Sequence, residues 1–487
     1  MRAQGKITLG IVITTTLGAI ALEPSCPSPF GLVAYAPLFV VCRSLGPRAA
    51  FGAGWATGTF ISALGYRFVP SALAGASGMS FASAVLLFVG FALYLGLGLG
   101  VATWLGAHVH ARGGAGTLAT AAAIPALEAL LPNPLPFPFG ATLAADLELL
   151  QIADVFGPFG PTLVATLCAA AIAELIARYR ASRLTIGIGA AALAAAWTYG
   201  ASRLRSLDAE TATTERIRAR LHQPAHARSG SAPLLSGPSA DDGVDVDLAV
   251  WPESALPRAL PRADLEPMAA ALFTSPKHPT IAGAVAREGP ALSNVALLVD
   301  KGGSVAGRYE KRELVPIAEP EEGGFVHRLF GVTPHARGVE QPAMEVGHVP
   351  LAVTICYEST LTGYVRDTVR ATRGRVLVNI ANDGWFRGTN EPELHLVISQ
   401  LRAIETRRPV LRAANDGITA AIAPTGLVVA RAPYGVATSL TVEVAPSERT
   451  SLYLRYGPVP FALLLASLLA SATLRRRRAP ATSSAPS

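Results

Sequence analysis

Charge is scarce in the first 200 residues, which hold nine Lys or Arg and six Asp or Glu; the other 60 of the chain's 75 charged residues follow. A stretch so poor in charge cannot be a solvated globule, whereas the remainder has the look of ordinary soluble protein, where about a quarter of residues are charged. Lysine is scarcer still. Lys6, Lys277, Lys301 and Lys311 stand against 37 arginines. Cysteine occurs only as Cys26, Cys42, Cys168 and Cys356, and no CxxC spacing exists, which argues against a zinc site and a disulfide framework. Three of the four lie in the apolar part and read as small buried hydrophobes. Any thiol chemistry outside that part must therefore use Cys356 alone. These absences exclude intrinsic disorder and a purely soluble enzyme. The 487 residues hold about three domains' worth of chain at roughly 150 residues each, and the working class is a membrane domain joined to a soluble one.

What is present in the apolar part is a series of stretches close to the roughly 20 residues that cross a bilayer. They fall near 7–22, 30–43, 49–65, 79–106, 115–131, 155–176, 184–201 and 457–474, about eight spans rich in glycine, which lets helix backbones approach closely. With the N-terminus inside, the inner loops hold Arg2 and Lys6, Arg43 and Arg48, Arg112, then Arg178, Arg180 and Arg183, and finally Arg475 to Arg478; the short outer loops hold only Arg67. This asymmetry places the soluble part outside, on the periplasmic side of a bacterial inner membrane. It also absorbs much of the net charge of +7, so that nucleic acid is not needed to explain it. Segment 1–22 reads alternatively as a signal peptide, because Ala19-Ile20-Ala21 resembles a cleavage site. The expected organisation is a transmembrane bundle over 1–203, a periplasmic domain over 204–452, a last transmembrane helix over 453–478 and a disordered Ala/Ser/Pro-rich tail over 479–487.

The outer part alternates β-rich runs with helical stretches, as a single α/β domain of about 250 residues would. Strands are expected at Val244–Trp251, Thr280–Ala286, Asn294–Asp300, Leu351–Cys356, Arg375–Ile380, Pro409–Ala414, Gly417–Ala423 and Leu427–Ala430, and helices at Arg262–Phe273, Leu361–Thr372 and Pro392–Thr406. Residues 207–243 read as a polar linker with some helix.

Three short motifs end or follow these strands: Trp251-Pro252-Glu253-Ser254, Tyr309 to Pro316 around Lys311, and Thr354-Ile355-Cys356-Tyr357-Glu358. Strand ends are where α/β sheets gather functional groups. Taken singly, each motif has an ordinary explanation: a solvated turn glutamate, a surface lysine, a packed cysteine. Taken together they supply a carboxylate, an amine and a thiol. A thiol needs a base to become a nucleophile, acyl transfer needs a donor for its oxyanion, and a chain that uses arginine nearly everywhere retains lysine where a compact amine is required.

The order Glu253, Lys311, Cys356 resembles the nitrilase superfamily of carbon–nitrogen hydrolases. The segments WPES, YEKRELVPIAE, ICYE, Asn379 to Phe386, and His395 through Arg408-Pro409 are similar to those of bacterial apolipoprotein N-acyltransferases. Phe137-Pro138-Phe139-Gly140 and Leu150 to Gly160 look like that family's lipid-side loop and the helix after it. The chain departs from the pattern at Pro316-Ile317-Ala318-Glu319, where the family usually reads Pro-Phe-Gly-Glu. It also has leucines after Glu128, where an arginine is usual, and Phe139 in place of a frequent Trp.

The resemblance implies an αββα sandwich on a membrane bundle. It implies Glu253 as general base, Lys311 as oxyanion stabiliser and Cys356 as nucleophile, with Glu319 and Glu358 as supporting carboxylates and the Tyr357 N–H as a further oxyanion donor. Trp385 and Phe386 would form a mobile apolar arm over the site that contacts substrate, or else a membrane-surface anchor. The implied reaction moves a fatty acyl chain from a phospholipid, through a Cys thioester, to the α-amine of a diacylglyceryl-cysteine at a lipoprotein's N-terminus. No metal or organic cofactor is implied. A membrane-tethered amide hydrolase with the same triad and a catalytically inactive scaffold remain as alternatives.

Overall fold

The computed structural model of the chain describes residues 2–177, 182–211, 214–224, 245–256, 259–272 and 278–473. Arg178, Arg180, Arg475 to Arg478, Lys277, the tail 479–487 and most of the linker 207–243 lie outside the described residues.

Among the described residues, four helices are long and apolar enough to cross a membrane: Gln4–Ala21, Phe81–Ala111, Phe159–Ala177 and Arg183–Leu207. Pro29–Cys42, Gly116–Leu130 and Val459–Thr473 are apolar but shorter, and Pro47–Gly65 forms a further helix. The expected span 30–43 is divided into Pro29–Val33 and Ala36–Cys42. Pro37 has no N–H to give to the Val33 carbonyl four residues back, and its ring crowds that group, so the first piece ends there and the second begins with Pro37 in its first turn. At 1.5 Å per residue neither piece alone crosses a hydrocarbon core of about 30 Å. A short helix that the sequence did not announce, Val69–Ser77, precedes the longest one.

Glycine sets a close helix contact in the bundle. A Cβ built on Gly58 would lie 3.0 Å from the Gly96 Cα, and one on Gly96 would lie 2.8 Å from the Trp55 carbonyl oxygen. Pro47–Gly65 and Phe81–Ala111 thus meet backbone to backbone, and the Thr103 hydroxyl reinforces the contact by donating to the Ala50 carbonyl at 2.8 Å. One carboxylate inside the bundle is paired with a cation: buried Glu174 accepts from the Thr117 hydroxyl at 2.5 Å and the Ser182 N–H at 2.7 Å, and it also contacts Arg43.

The strands, in chain order, are β1 Ile217–Gln223, β2 Leu248–Val250, β3 Ala259–Pro261, β4 Thr280–Glu288, β5 Ala291–Val299, β6 Val305–Glu310, β7 Met344–Val346, β8 Val349–Ile355, β9 Val376–Asn382, β10 Val410–Asn415, β11 Ala420–Ile422, β12 Val428–Arg431 and β13 Thr438–Val444. One sheet runs β13-β1-β2-β4-β5-β6, with β3 paired to β4, and the other runs β12-β11-β10-β9-β8-β7. Leu221, Val250, Ile281 and Leu298 from the first sheet and Val353, Val378 and Leu411 from the second share one apolar layer between the sheets. The outer faces are covered by Leu265–Leu272 on the first sheet and by Thr362–Thr372 and Glu391–Thr406 on the second, giving a helix–sheet–sheet–helix order. Strand β1 corrects the linker expectation. Arg218 and Arg220 make it read as polar, yet six of its seven residues are buried because it lies between β2 and β13.

The two parts are joined by a buried ion pair. Arg407, at 1% exposure, ends the helix Glu391–Thr406 and reaches Asp154 at 2.6 Å and Gln151 at 2.7 Å. Asp154 also accepts from the Tyr199 hydroxyl at 2.7 Å. Removing one partner strands a buried charge, a change that costs about 3–5 kcal/mol. Asp154→Ala is therefore expected to lower the thermal midpoint of the detergent-solubilised protein substantially. Adding Arg407→Met should recover part of the loss, and strictly additive losses would argue against the pair.

Candidate active site

Each of the three motif residues sits just past the end of a strand. β2 delivers Glu253, β6 delivers Lys311 and β8 delivers Cys356. The segment carrying Glu253 is packed tightly. Trp251 stacks on His222 with ring centroids 4.1 Å apart, and Gly283 on β4 admits the passing chain, since a Cβ there would lie 2.4 Å from the Pro252 carbonyl oxygen. On the β6 side, the Lys311 N–H donates to the Asn294 carbonyl at 2.8 Å, continuing the β5–β6 ladder by one rung.

Lys311 is 1% exposed. Its Nζ lies 2.7 Å from Glu319 and 3.6 Å from Glu253. Burial alone would push the ammonium down; the Glu319 and Glu253 carboxylates outweigh it, and the Lys311 pKa is raised. Glu319 is held in place by the Asn294 side-chain amide at 2.8 Å and the Val315 N–H at 2.7 Å. Glu253 is pushed up to about 7 by burial, with Glu319 adding to the effect and Lys311 and a hydrogen bond with the Cys356 thiol opposing it. Burial, and then the Glu253 carboxylate, raise the Cys356 thiol well above its usual range. The resting site therefore holds a thiol beside a carboxyl whose pKa lies near neutrality.

Cys356 has φ +50°, in the left-handed region that side-chain-bearing residues seldom enter. Glu358 braces this turn. Its Oε2 accepts from the Ile355 N–H at 2.8 Å, and its Oε1 accepts from the Tyr309 hydroxyl at 2.6 Å and from the N–H groups of Arg312 and Glu313 at 2.6 and 3.1 Å. One buried carboxylate thus ties the end of β6 to the end of β8. Ile317 also has a left-handed backbone, φ +71°, in the segment that departs from the Pro-Phe-Gly-Glu pattern.

Glu253, Lys311, Cys356, Glu319 and Tyr357 line a cavity of about 220 Å³. An apolar part of its wall is formed by Leu135, Pro136 and Phe137 from the bundle with Trp385 and Phe386, while Asn294, His335, Asn382, Glu391 and His395 add polar groups. Phe386 packs edge-on against Phe68 at 5.5 Å, so this aromatic pair joins the catalytic-domain side of the cavity to the bundle. Two apolar cavities adjoin it. One of about 110 Å³ shares Leu135, Val315, Trp385 and Phe386, and one of about 170 Å³, walled mainly by the bundle but also by Thr362 and Arg402 of the sandwich and holding Glu128, shares Pro136, Phe137 and Thr360. Glu358 is not part of the cavity lining; it acts on Cys356 through the backbone.

Sequence reasoning matched Asn379, Asp383 and His395 to family segments but gave no role to the polar cluster behind Cys356 that they form: Asn379 on β9, Asp383 after it, Glu391 and His395 on one helix, and Arg412 on β10. Arg412 is fully buried and donates to Asp383 and Asn379, each at 2.7 Å. The available signal was an arginine inside the apolar run of β10 and an asparagine inside that of β9. Among the described residues, Asp383, Glu391 and His395 bring potential metal-ligand atoms within 4.8 Å of one another. The Arg412 guanidinium already supplies the positive charge at that point, 2.7 Å from Asp383 and 3.1 Å from the His395 ring.

A family model described as carbon–nitrogen hydrolase matches residues 209–453, just over half the chain, and one described as the apolipoprotein N-acyltransferase N-terminal domain matches residues 15–171. The chain is similar to apolipoprotein N-acyltransferases of Rhodopseudomonas palustris (30% identical; 62% of this chain and 60% of that one), Geobacter metallireducens (35%; 44% and 43%) and Pseudomonas putida (28%; 94% and 94%). Over most of these first relatives the match spans about half of their length. Among solved structures, Saccharomyces cerevisiae Nit3 of the nitrilase superfamily is 14% identical with a TM-score of 0.37, covering 48% of this chain and 91% of that one. A Nesterenkonia AN1 amidase is 17% identical with a TM-score of 0.37, covering 51% and 96%. The chain belongs to the carbon–nitrogen hydrolase family, and its curated relatives within it are named apolipoprotein N-acyltransferases.

Proposed function

We propose that this chain is a membrane-embedded acyltransferase that moves a fatty acyl chain from a phospholipid to the α-amine of a diacylglyceryl-cysteine at the N-terminus of a lipoprotein. The observation that carries the proposal is the convergence of Glu253, Lys311 and Cys356 on one cavity that the apolar bundle loop 135–137 also lines. The relatives' names supply the substrate class. The eight spans and the periplasmic placement of the sandwich belong to the same proposal, supported by the apolar helices and the charge asymmetry of the loops.

Glu253 takes the thiol proton as Cys356 Sγ attacks the acyl ester carbonyl. Lys311 Nζ, with the Tyr357 N–H, stabilises the oxyanion of the tetrahedral intermediate. The C–O bond breaks, the proton on Glu253 passes to the leaving alkoxide, and a lysophospholipid departs from a thioester. The lipoprotein amine then attacks the thioester and gives up a proton to Glu253; the C–N bond forms as the C–S bond breaks, and Sγ recovers its proton. The raised thiol pKa means that no free thiolate waits at rest, so attack and proton transfer are coupled. Trp385 and Phe386 contact the acyl chain and help keep water from the thioester, and the two adjoining apolar cavities offer room for alkyl chains. The apolar wall weighs against a small soluble amide as substrate.

Mass spectrometry of the full-length protein incubated with phospholipid vesicles should show a fatty-acyl adduct on Cys356 that Cys356→Ala abolishes. An adduct elsewhere, or none, would overturn the proposal, as would release of ammonia from small amides without transfer to a lipopeptide. Lys311→Met should slow adduct formation by roughly 100-fold or more, the cost of losing an oxyanion donor.

The pH dependence follows from Glu253. A base with a pKa of about 7 is protonated and idle below that value, so the acylation rate should rise through pH 7 and level off above it. Glu253→Gln should leave only a slow rate without that limb; a limb that persists in the variant would assign the base elsewhere.

A further inference from the structure

Behind the nucleophile, the shortest contacts in a buried chain of polar groups favour one proton arrangement. Arg412 Nη2 lies 3.1 Å from His395 Nδ1, His395 Nε2 lies 2.9 Å from Ser359 Oγ, and Ser359 Oγ lies 2.8 Å from the Cys356 carbonyl oxygen. All three side chains are at most 4% exposed. A guanidinium only donates, so Nδ1 must accept and the ring proton must sit on Nε2. That N–H donates to Ser359 Oγ, which leaves the hydroxyl proton for the Cys356 carbonyl. A proton on Nδ1 would face Asp383 Oδ1 at a longer 3.4 Å and Glu391 Oε1 at 3.8 Å, and it would collide with the Arg412 N–H. Arg412 cannot turn away, because Asn379, Asp383 and the Ile418 carbonyl hold it at 2.7, 2.7 and 3.2 Å. Burial, then the Arg412 guanidinium, lower the His395 pKa, in line with a neutral ring.

The end of this chain is the one peptide group on which the site depends. Cys356 is held in a left-handed conformation, φ +50°. Glu358 fixes the N–H before it, and Ser359 fixes the carbonyl after it. In a planar trans peptide the C=O and the next N–H point in opposite directions. Pinning the Cys356 carbonyl therefore also sets the direction of the Tyr357 N–H and the placement of Sγ.

We propose that Ser359 and His395 are positioning residues for the reaction. Anchored on Arg412, they lock the Cys356–Tyr357 peptide plane so that nucleophile and oxyanion donor are presented together. Ser359 is absent from the cavity lining and His395 reaches only its wall; both act through Cys356, and the proposal rests on Cys356 being the nucleophile.

The test is the rate of acyl-adduct formation on Cys356 in the full-length protein, followed by mass spectrometry at varied phosphatidylethanolamine concentration in detergent micelles. Ser359→Ala and His395→Leu should each lower the maximal rate about tenfold, the scale of one lost buried hydrogen bond, with the half-saturating lipid concentration unchanged. His395→Gln, whose amide offers both a donor and an acceptor, should recover most of the rate. Wild-type rates in both Ser359→Ala and His395→Leu would overturn the positioning role alone. So would a loss in His395→Leu that His395→Gln fails to rescue while Ser359→Ala reacts normally, since the ring would then be packing only. Absence of the adduct from the wild-type protein would overturn this proposal together with the one beneath it.

Discussion

A lysine ammonium buried to 1% exposure is the constraint around which the site is arranged. An isolated charge at such depth is prohibitively costly, so carboxylates must come to it, and two do. They are not equivalent. Glu319 contacts the ammonium at 2.7 Å and is pinned by two further donors. Glu253 stands 3.6 Å away and shares its hydrogen bonding with a thiol. Two carboxyl groups in different environments divide the work. The nearer one serves as the fixed counter-ion, which leaves the farther one, with its pKa of about 7, free to exchange a proton.

That division depends on the two sheets being locked in register. Glu253 and Lys311 come from the first sheet, at the ends of β2 and β6, and Cys356 from the second, at the end of β8. Apolar burial holds the sheets together but does not by itself fix the strand ends to tenths of an ångström. Polar groups do that: Glu358 links β8 to the segment after β6, and the Arg412, His395, Ser359 chain fastens the other side of the same turn. Both devices act on a residue in a backbone conformation that costs free energy, and each supplies hydrogen bonds that offset the cost.

The sequence made Glu253, Lys311 and Cys356 legible because Glu253 and Cys356 each follow an apolar run and because lysine and cysteine are rare enough here for their positions to stand out. The strands that carry two of them, β2 and β8, were equally plain. The cluster behind Cys356 was not, since Asp383, Glu391, His395 and Arg412 are ordinary polar letters until the fold buries them. β1 was lost to the linker for the same reason: charged residues at Arg218 and Arg220 hide a strand that sits inside a sheet. The stretch 30–43 read as one span because hydropathy does not register the missing N–H of Pro37. Pairings of this kind are set by tertiary neighbours, which a one-dimensional pattern does not contain.

The bundle is more than an anchor, because without it the cavity has no far wall. Leu135, Pro136 and Phe137 close the side facing Cys356, and Phe68 seats Phe386. The Arg407–Asp154 pair holds the two parts at a fixed distance. A thioester formed in an open cleft would be exposed to water at 55 M, against which a lipoprotein amine present at far lower concentration could not compete. An apolar wall changes that competition by admitting alkyl chains and excluding water. In the proposed reaction the same triad would thus favour transfer over hydrolysis without any change in its own chemistry, with the choice between the two falling to residues that come from the bundle.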